Sequence, residues 1–174
     1  MVALSHGTPL ATRFAQETHP EYFAQVGAGR VLPRLAPPLR DAMIRYGGKF
    51  FNRYPELRHV SVGPADAFTS IDEHDVAAGW LREERGPNGR LSDYVWTFIN
   101  EVAAGLGEKH PNRIALGLAY SYYRQPPADL ERLHPNVGVT YCQHRSDLRD
   151  PEVRRQVFAE REQWLAMLPS KELF

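Results

Sequence analysis

Several features that define other classes of protein are scarce in this sequence of 174 residues. It has one cysteine, Cys142, so no internal disulfide can stabilise the fold. No apolar run approaches the ~20 residues of a membrane-spanning helix, and the first residues lack the pattern of a signal peptide. These absences predict no membrane partner, and they leave the localisation of the protein unknown.

The charges exclude a further class of partner. The sequence has 21 Lys and Arg residues and 21 Asp and Glu residues, so its formal net charge is zero. The basic residues are scattered along the chain rather than clustered, which argues against nucleic acid as the main partner. There is no repeat and no low-complexity tract. Length and composition therefore predict one globular domain over residues 1–174.

The hydrophobic pattern predicts an α/β core over residues 38–174, after an irregular lead-in over residues 1–37 that is interrupted by Gly and Pro. Apolar residues at helical spacing predict long helices over residues 38–54, 92–107 and 151–168. Short apolar runs predict strands over residues 59–63, 113–120 and 137–142, and the stub of another strand at 171–174. Helices alternating with strands are typical of a parallel sheet with right-handed crossovers.

The number of strands limits the architecture. Three parallel strands and a stub are too few for a closed (β/α)8 barrel, which needs about 250 residues. The count fits a partial (β/α)8 TIM-type barrel with helices on the outer face, or an open three-layer sheet. A partial barrel leaves strand edges and its inner face uncovered, so we expect a homo-oligomer or a place within a larger chain.

Asp66 is the candidate catalytic residue. It follows Gly63-Pro64, which ends the first predicted strand. Parallel α/β sheets and barrels place their chemistry at the carboxyl ends of strands, so the position favours a functional carboxylate. The alternative is that Asp66 closes a turn or caps the next segment.

Polar and aromatic residues follow the other two predicted strands. Tyr120, Tyr122 and Arg124 come after the second strand, and His144 comes after the third. Tyrosine rings stack on sugars and arginine binds carboxylates, so these residues predict a site for a polar substrate. The alternative is a Pro-rich loop whose aromatic residues pack against the domain.

Two groups of potential metal ligands have simpler explanations. The carboxylates of the stretch 72–75 suit the first turn of a helix, with Ser70 or Asp72 as its cap. Cys142 and His144 share a strand face, but two ligands do not make a zinc site, and no third group orients a Cys–His nucleophile. The sequence therefore predicts no metal and no cofactor.

Five motifs occur in a characteristic order and spacing. They are His19-Pro-Glu-Tyr-Phe23, Tyr54-Pro55 with Val60-Ser-Val-Gly-Pro-Ala-Asp66, Ser92-Asp-Tyr with Phe98-Ile-Asn-Glu-Val-Ala103, Ala119-Tyr-Ser121 with Pro126-Pro127, and His134-Pro-Asn-Val137. Together they resemble the middle of the bacterial domain-of-unknown-function family 4838. That family is similar to alpha-glucuronidase-like glycoside hydrolases with a (β/α)8 barrel. The resemblance implies a carbohydrate-active barrel domain that hydrolyses or binds a polysaccharide or a uronic-acid-containing oligosaccharide.

The resemblance also bears on the residues of the site. Family members commonly carry cysteines after the Asp66-like position, where this sequence has Ser70, Ile71 and Glu73, so no disulfide or metal role is implied there. Glycoside hydrolysis normally uses two carboxylates about 5 to 9.5 Å apart. Asp66 is expected to be one, and Glu172 is a distant candidate for the other. The alternatives are a non-catalytic carbohydrate-binding domain and a truncated, inactive barrel fragment that self-associates.

Overall fold

The computed structural model describes residues 13–27, 29–64 and 68–174. Its helices and strands, in chain order, are α1 (Arg13–Thr18), β1 (Phe23–Val26), β2 (Arg30–Pro33), α2 (Pro37–Arg53), β3 (His59–Ser61), α3 (Glu73–Ala77), α4 (Ser92–Gly107), β4 (Ile114–Ala119), β5 (Val137–Tyr141) and α5 (Pro151–Met167). Short 3-10 helices occupy Pro20–Tyr22, Glu83–Arg85, Ser121–Tyr123 and Arg145–Arg149. In the part of the chain that the structure describes, no helix has the length and apolar character needed to cross a membrane.

The strands β3, β4 and β5 form a parallel sheet in that order, which confirms the three predicted parallel strands. The predicted stub is present as well. Leu173 forms a parallel bridge with Val139, and the Phe174 amide donates to the Val139 carbonyl at 2.9 Å. Every residue of β4 is buried, as expected for a central strand covered on both faces. The described strands do not close into a barrel.

The helices α4 and α5 lie on the same face of this sheet. A Cβ atom built on Gly117 of β4 would lie 2.8 Å from the ring of Trp96, so α4 packs directly on that face. Tyr141 of β5 is on the same face by strand register, and its hydroxyl donates to Glu160 of α5 at 2.6 Å. The rings of Trp96 and Trp164 are 4.5 Å apart between centroids, and both side chains are fully buried.

The amino-terminal region contains a β-hairpin, so the prediction of an irregular lead-in over residues 1–37 was wrong for residues 23–33. The strands β1 and β2 pair antiparallel, with Val26 opposite Arg30. Gly27 and Gly29 between them have φ angles of 54° and 86°, which favour glycine and allow the chain to reverse. The glycines that suggested irregular chain therefore form the turn of the hairpin.

A partly buried ion pair attaches the hairpin to the helices. Arg34, which follows β2, donates from Nη2 to Asp75 Oδ1 at 2.8 Å, and Tyr94 Oη donates to Asp75 Oδ2 at 2.7 Å. Burial opposes ionisation of Asp75, but hydrogen bonds from Arg34 and Tyr94 outweigh it and lower its pKa to about 2. Burial and the same carboxylate raise the pKa of Tyr94.

The predicted cap at Asp72 is confirmed, and α5 has a cap of the same kind. Asp72 accepts a hydrogen bond from the Asp75 amide at 2.9 Å and caps α3. Asp150 caps α5 by accepting from the amides of Glu152 and Val153. Both caps satisfy amides that the first turn of a helix leaves unpaired, which explains why an Asp stands at each position.

Candidate functional site

The sheet has a second face, opposite α4 and α5, which we call the concave face. His59 of β3 and Glu172 beside β5 both lie on it, three strand positions apart, which is about 14 Å in a flat sheet. Their side chains nevertheless meet, with His59 Nε2 2.9 Å from Glu172 Oε2. Side chains stand roughly perpendicular to a sheet, so this contact requires the edges of the sheet to curve toward each other.

The amino end of the concave face is occupied by an ion-pair cluster. Glu172 Oε1 lies 2.7 Å from Arg58 Nη2, while its other carboxylate oxygen contacts His59, the first residue of β3. The Glu172 side chain passes over Gly138, where a Cβ atom would lie 3.5 Å from the Glu172 Cβ. This end of a parallel α/β sheet usually serves stability. The position of Glu172 therefore does not support the prediction that it is the second catalytic carboxylate.

Tyr120 lies at the carboxyl end of the concave face. Its backbone is extended, with φ −143° and ψ 145°, so it continues the alternation of β4 and shares the face of Leu118. Thr140 of β5 is in register with Leu118, so it shares this face too. Cys142 lies two residues after Thr140, and its sulfur is 3.8 Å from the Thr140 carbonyl oxygen. A tyrosine ring and a threonine hydroxyl thus belong to the edge where the sequence predicts a site.

Arg124 is on the other side of the sheet. Its guanidinium donates from Nε and Nη2 to the two oxygens of Glu160 in α5, at 3.1 and 3.2 Å. Trp164 donates from Nε1 to the Arg124 carbonyl at 3.0 Å. Burial and the hydrogen bond to Glu160 raise the pKa of Tyr141 in the same group. The structure therefore separates Arg124 from Tyr120 and engages its guanidinium with the helix layer.

The other predicted residues are placed separately. The Tyr122 ring packs under the guanidinium of Arg90, whose Cζ is 3.9 Å from the ring centroid. Ser121, between the two tyrosines, has a positive φ of 49°, an uncommon conformation for a residue other than glycine. His144 is exposed and precedes the 3-10 helix Arg145–Arg149. Asp66 lies outside the described residues, so its catalytic role remains a prediction.

Sequence reasoning missed the buried carboxylate that holds the loop after β4. Asp93 is 1% exposed. Its Oδ1 accepts from the amides of Ala128 and Asp129 at 2.6 and 2.9 Å, and its Oδ2 is 2.9 Å from Arg85 Nη1. Two of the five sequence motifs, Ser92-Asp-Tyr and Pro126-Pro127, therefore meet here. The sequence identifies each motif separately, but no pattern of neighbouring residues indicates that the two motifs are in contact.

Two oxygen atoms near the carboxyl end of β5 are buried without a partner. They are Thr140 Oγ1 and Gln143 Oε1, and neither forms a hydrogen bond with a protein group. Leaving a buried polar group unpaired typically costs about 1 to 3 kcal/mol, so such atoms are uncommon in folded proteins. Sequence reasoning missed both, because pairing across the fold has no local pattern.

The described residues also include one acidic cluster with ligand spacing. Asp72, His74 and Asp75 offer ligand atoms within 4.8 Å of one another. Arg34 already supplies the positive charge there, because its guanidinium contacts Asp72, His74 and Asp75. The cluster therefore agrees with the predicted capping role better than with a metal site.

A three-stranded parallel sheet with α4 and α5 on one face defines an α/β protein. The sequence profile of the family described as Domain of unknown function (DUF4838) matches residues 8–168. The chain belongs to this family, and the match confirms the resemblance that the five motifs indicated. No curated protein and no solved structure matches the chain.

Proposed function

We propose that this chain is a carbohydrate-binding unit built as part of a (β/α)8-type barrel, with its saccharide site at the carboxyl end of the concave face. The observation that carries the proposal is the position of Tyr120 on that edge of a curved parallel sheet. The contact between His59 and Glu172 supports the barrel geometry, because side chains this far apart in a flat sheet would not meet.

The chemistry of the edge suits a saccharide. An aromatic ring packs against the apolar face of a sugar, while its hydroxyl exchanges hydrogen bonds with those of the sugar. Tyr120 is partly buried, which fixes its ring, and its neighbour Tyr122 is held by Arg90. His144 lies exposed beyond β5, where it is available to bond a hydroxyl or a carboxylate.

Binding is better supported than hydrolysis. Hydrolysis needs two carboxylates, and the two that the structure places beside β5 already have partners. Glu160 is bound by Arg124 and Tyr141, and Glu172 is bound by Arg58 and His59. Hydrolysis remains the second candidate, because Asp66 follows closely on the carboxyl end of β3.

The test is saccharide binding by the wild-type chain and by matched tyrosine variants. We expect a panel of neutral and uronic-acid-containing oligosaccharides to include one that binds, and Tyr120→Ala to weaken that binding about tenfold. Tyr54→Ala is the control, because Tyr54 is 44% exposed at the end of α2. An equal loss of saccharide affinity in the two variants would contradict the proposal, as would the absence of binding by the wild-type chain.

The same panel separates binding from hydrolysis. If the chain is an enzyme, Asp66→Asn abolishes product formation and leaves saccharide affinity within a few fold of wild type. If it is a binding domain, the wild-type chain binds the saccharide and releases no product. Product release by Asp66→Asn at the wild-type rate would remove Asp66 from the reaction.

A further inference from the structure

We propose that the groove between α2 and α4 is a docking site for an acidic peptide segment of a partner protein. The groove belongs to the helix layer and not to the concave face, because α2 packs against α4, and α4 covers the opposite face of the sheet. The inference is therefore independent of the proposed saccharide site. It is carried by two cavities that share a pair of exposed basic residues.

The two cavities lie side by side along α2. The first has a volume of about 450 Å³ and lies between α2 and α4, where Ile44 and Leu106 give it aliphatic walls. The second, of about 370 Å³, is bordered by the side chains of Tyr22 and Tyr46. Binding pockets in proteins commonly have volumes of ~300 to 1,000 Å³, so each cavity can accept a side chain of a partner.

The cations of the groove have no partner within the described part of the chain. Arg45 and Lys49, one helical turn apart on α2, line both cavities, and Lys109, just after α4, lines the first. The three side chains are exposed, and none of them forms an ion pair or a hydrogen bond with a described residue. Arg40, earlier in α2, is different because it pairs with Glu101 of α4 at 3.1 Å. The contact between the two helices therefore neutralises Arg40 but leaves the charges of the groove available.

The charge of the groove favours an anionic occupant. Among the described residues that line the two cavities, Arg and Lys number three, and Glu108 is the one carboxylate. Arginine binds a carboxylate through two parallel hydrogen bonds. An extended peptide rises ~3.3 Å per residue, so carboxylates two positions apart are separated by about the ~6 Å between Arg45 and Lys49 along the helix axis.

The walls of the groove favour a peptide over other anions. The aliphatic walls between α2 and α4 suit an apolar side chain, and a peptide can offer that side chain and its carboxylates within one short segment. An acidic saccharide would find few partners for its hydroxyls, because Asn52 is the one amide side chain among the described lining residues. Charge and shape together therefore indicate an acidic segment with an apolar residue at its centre.

The experiment measures fluorescence anisotropy with a labelled heptapeptide, Glu-Glu-Glu-Leu-Glu-Glu-Glu, and with a matched peptide in which glutamine replaces each glutamate. We expect the wild-type chain to bind the glutamate peptide saturably and to bind it less tightly as the salt concentration rises. The glutamine peptide should bind about fivefold more weakly or less tightly still, because it lacks the carboxylates.

Charge reversal locates the binding site. Arg45→Glu should weaken binding of the glutamate peptide about five- to tenfold, because repulsion replaces attraction at a residue that both cavities share. Arg154→Glu is the matched control, since Arg154 is an exposed arginine of α5 and its replacement changes the net charge equally. The affinity of this control should stay within about twofold of wild type.

Gly48→Leu blocks the first cavity without changing the charge. A Cβ atom on Gly48 would lie 3.7 Å from His110 Nε2, an ordinary contact, so the rest of a leucine side chain extends into the cavity. Leucine also favours a helix more than glycine does. We therefore expect this variant to melt at or above the wild-type temperature while its affinity for the glutamate peptide falls about fivefold or more.

Several results would overturn the inference. They are no saturable binding by the wild-type chain, equal binding of the glutamate and glutamine peptides, and equal effects of Arg45→Glu and Arg154→Glu. An oligogalacturonate of the same charge that bound this groove more tightly than the peptide would also overturn it. If Gly48→Leu melted below wild type, the two arginine variants would decide. These outcomes leave the saccharide site unaffected, because no variant alters a residue of the concave face.

Discussion

The two faces of the central sheet differ in how completely their polar groups are paired. On the helix face, Trp164 Nε1, the Arg124 guanidinium and the Tyr141 hydroxyl all have partners at 2.6 to 3.2 Å. At the carboxyl end of the concave face, the hydroxyl of Thr140 has none. The helix face therefore pairs its polar groups within the fold, whereas the Thr140 hydroxyl on the concave face stays unpaired by protein groups.

The apolar packing differs between the helix face and the edge of the concave face. The helix face buries two tryptophans against each other, and the ring of Trp96 closes over Gly117. At the edge of the concave face, Phe174 is 50% exposed although its ring contacts His59 edge-on. Most of the stability should therefore reside in the helix layer, and the following predictions test that difference from the largest effect to the smallest.

Truncating Trp164 should give the largest loss of stability. Trp164→Ala removes a fully buried ring from the contact with Trp96 and should lower the free energy of unfolding by about 3 to 5 kcal/mol. Phe158→Ala, in the same helix at 56% exposure, is the control and should cost about 0.5 kcal/mol or less. Chemical denaturation measures both. If both variants lost a similar free energy of unfolding, the buried contact of Trp164 would contribute no more to stability than the exposed Phe158 does.

Acid should weaken the attachment of the hairpin to α3 and α4 through Asp75. Its pKa of about 2 in the folded protein lies below the ~3.9 of an unfolded aspartate, so the ionised form stabilises the fold. That contribution, about 2 kcal/mol, is complete above pH ~4 and is lost as the pH falls toward 2. Denaturation measured from pH 6 to pH 2 should show the loss. Asp75→Asn should have a lower free energy of unfolding at pH 6, and that free energy should change less between pH 6 and pH 2. If the variant and the wild type lose the same stability over this range, Asp75 is not the group responsible.

Replacing Arg124 should give a smaller effect, and one on stability alone. Arg124→Lys cannot reproduce the two hydrogen bonds to Glu160, so we expect a loss of about 1 kcal/mol in the free energy of unfolding. Affinity for the saccharide should stay at the wild-type value, because the guanidinium faces α5. Weakened binding of uronic-acid-containing oligosaccharides without a loss of stability would instead support the substrate role that the sequence suggested for Arg124.

The sequence was informative where structure is local or periodic. Apolar runs located β3, β4 and β5, and the chain order of helices and strands gave their parallel arrangement. The hairpin was missed because Gly27 and Gly29 were interpreted as breakers, although the same residues make a reversal between two short strands. Glycine alone does not distinguish these outcomes, since pairing of the flanking segments decides between them.

The site was predictable only up to the last residue of each strand. Tyr120 is still extended, so alternation assigns its face correctly. Beyond it the chain enters a 3-10 helix, alternation ends, and Arg124 turns to a carboxylate 36 residues away. Pairing over that distance depends on the packing of α5 against the sheet, which no local pattern records.

The most direct test of the account is nuclear magnetic resonance mapping of the wild-type chain during titration with the oligosaccharide that it binds best. We expect the amide shifts to concentrate in residues 118–122 and 140–144, at the carboxyl end of the concave face. The amides of α5 and of the cluster around His59 and Glu172 should change little. Shifts centred on that cluster, or spread over the helix layer while residues 118–122 stay unchanged, would contradict the account.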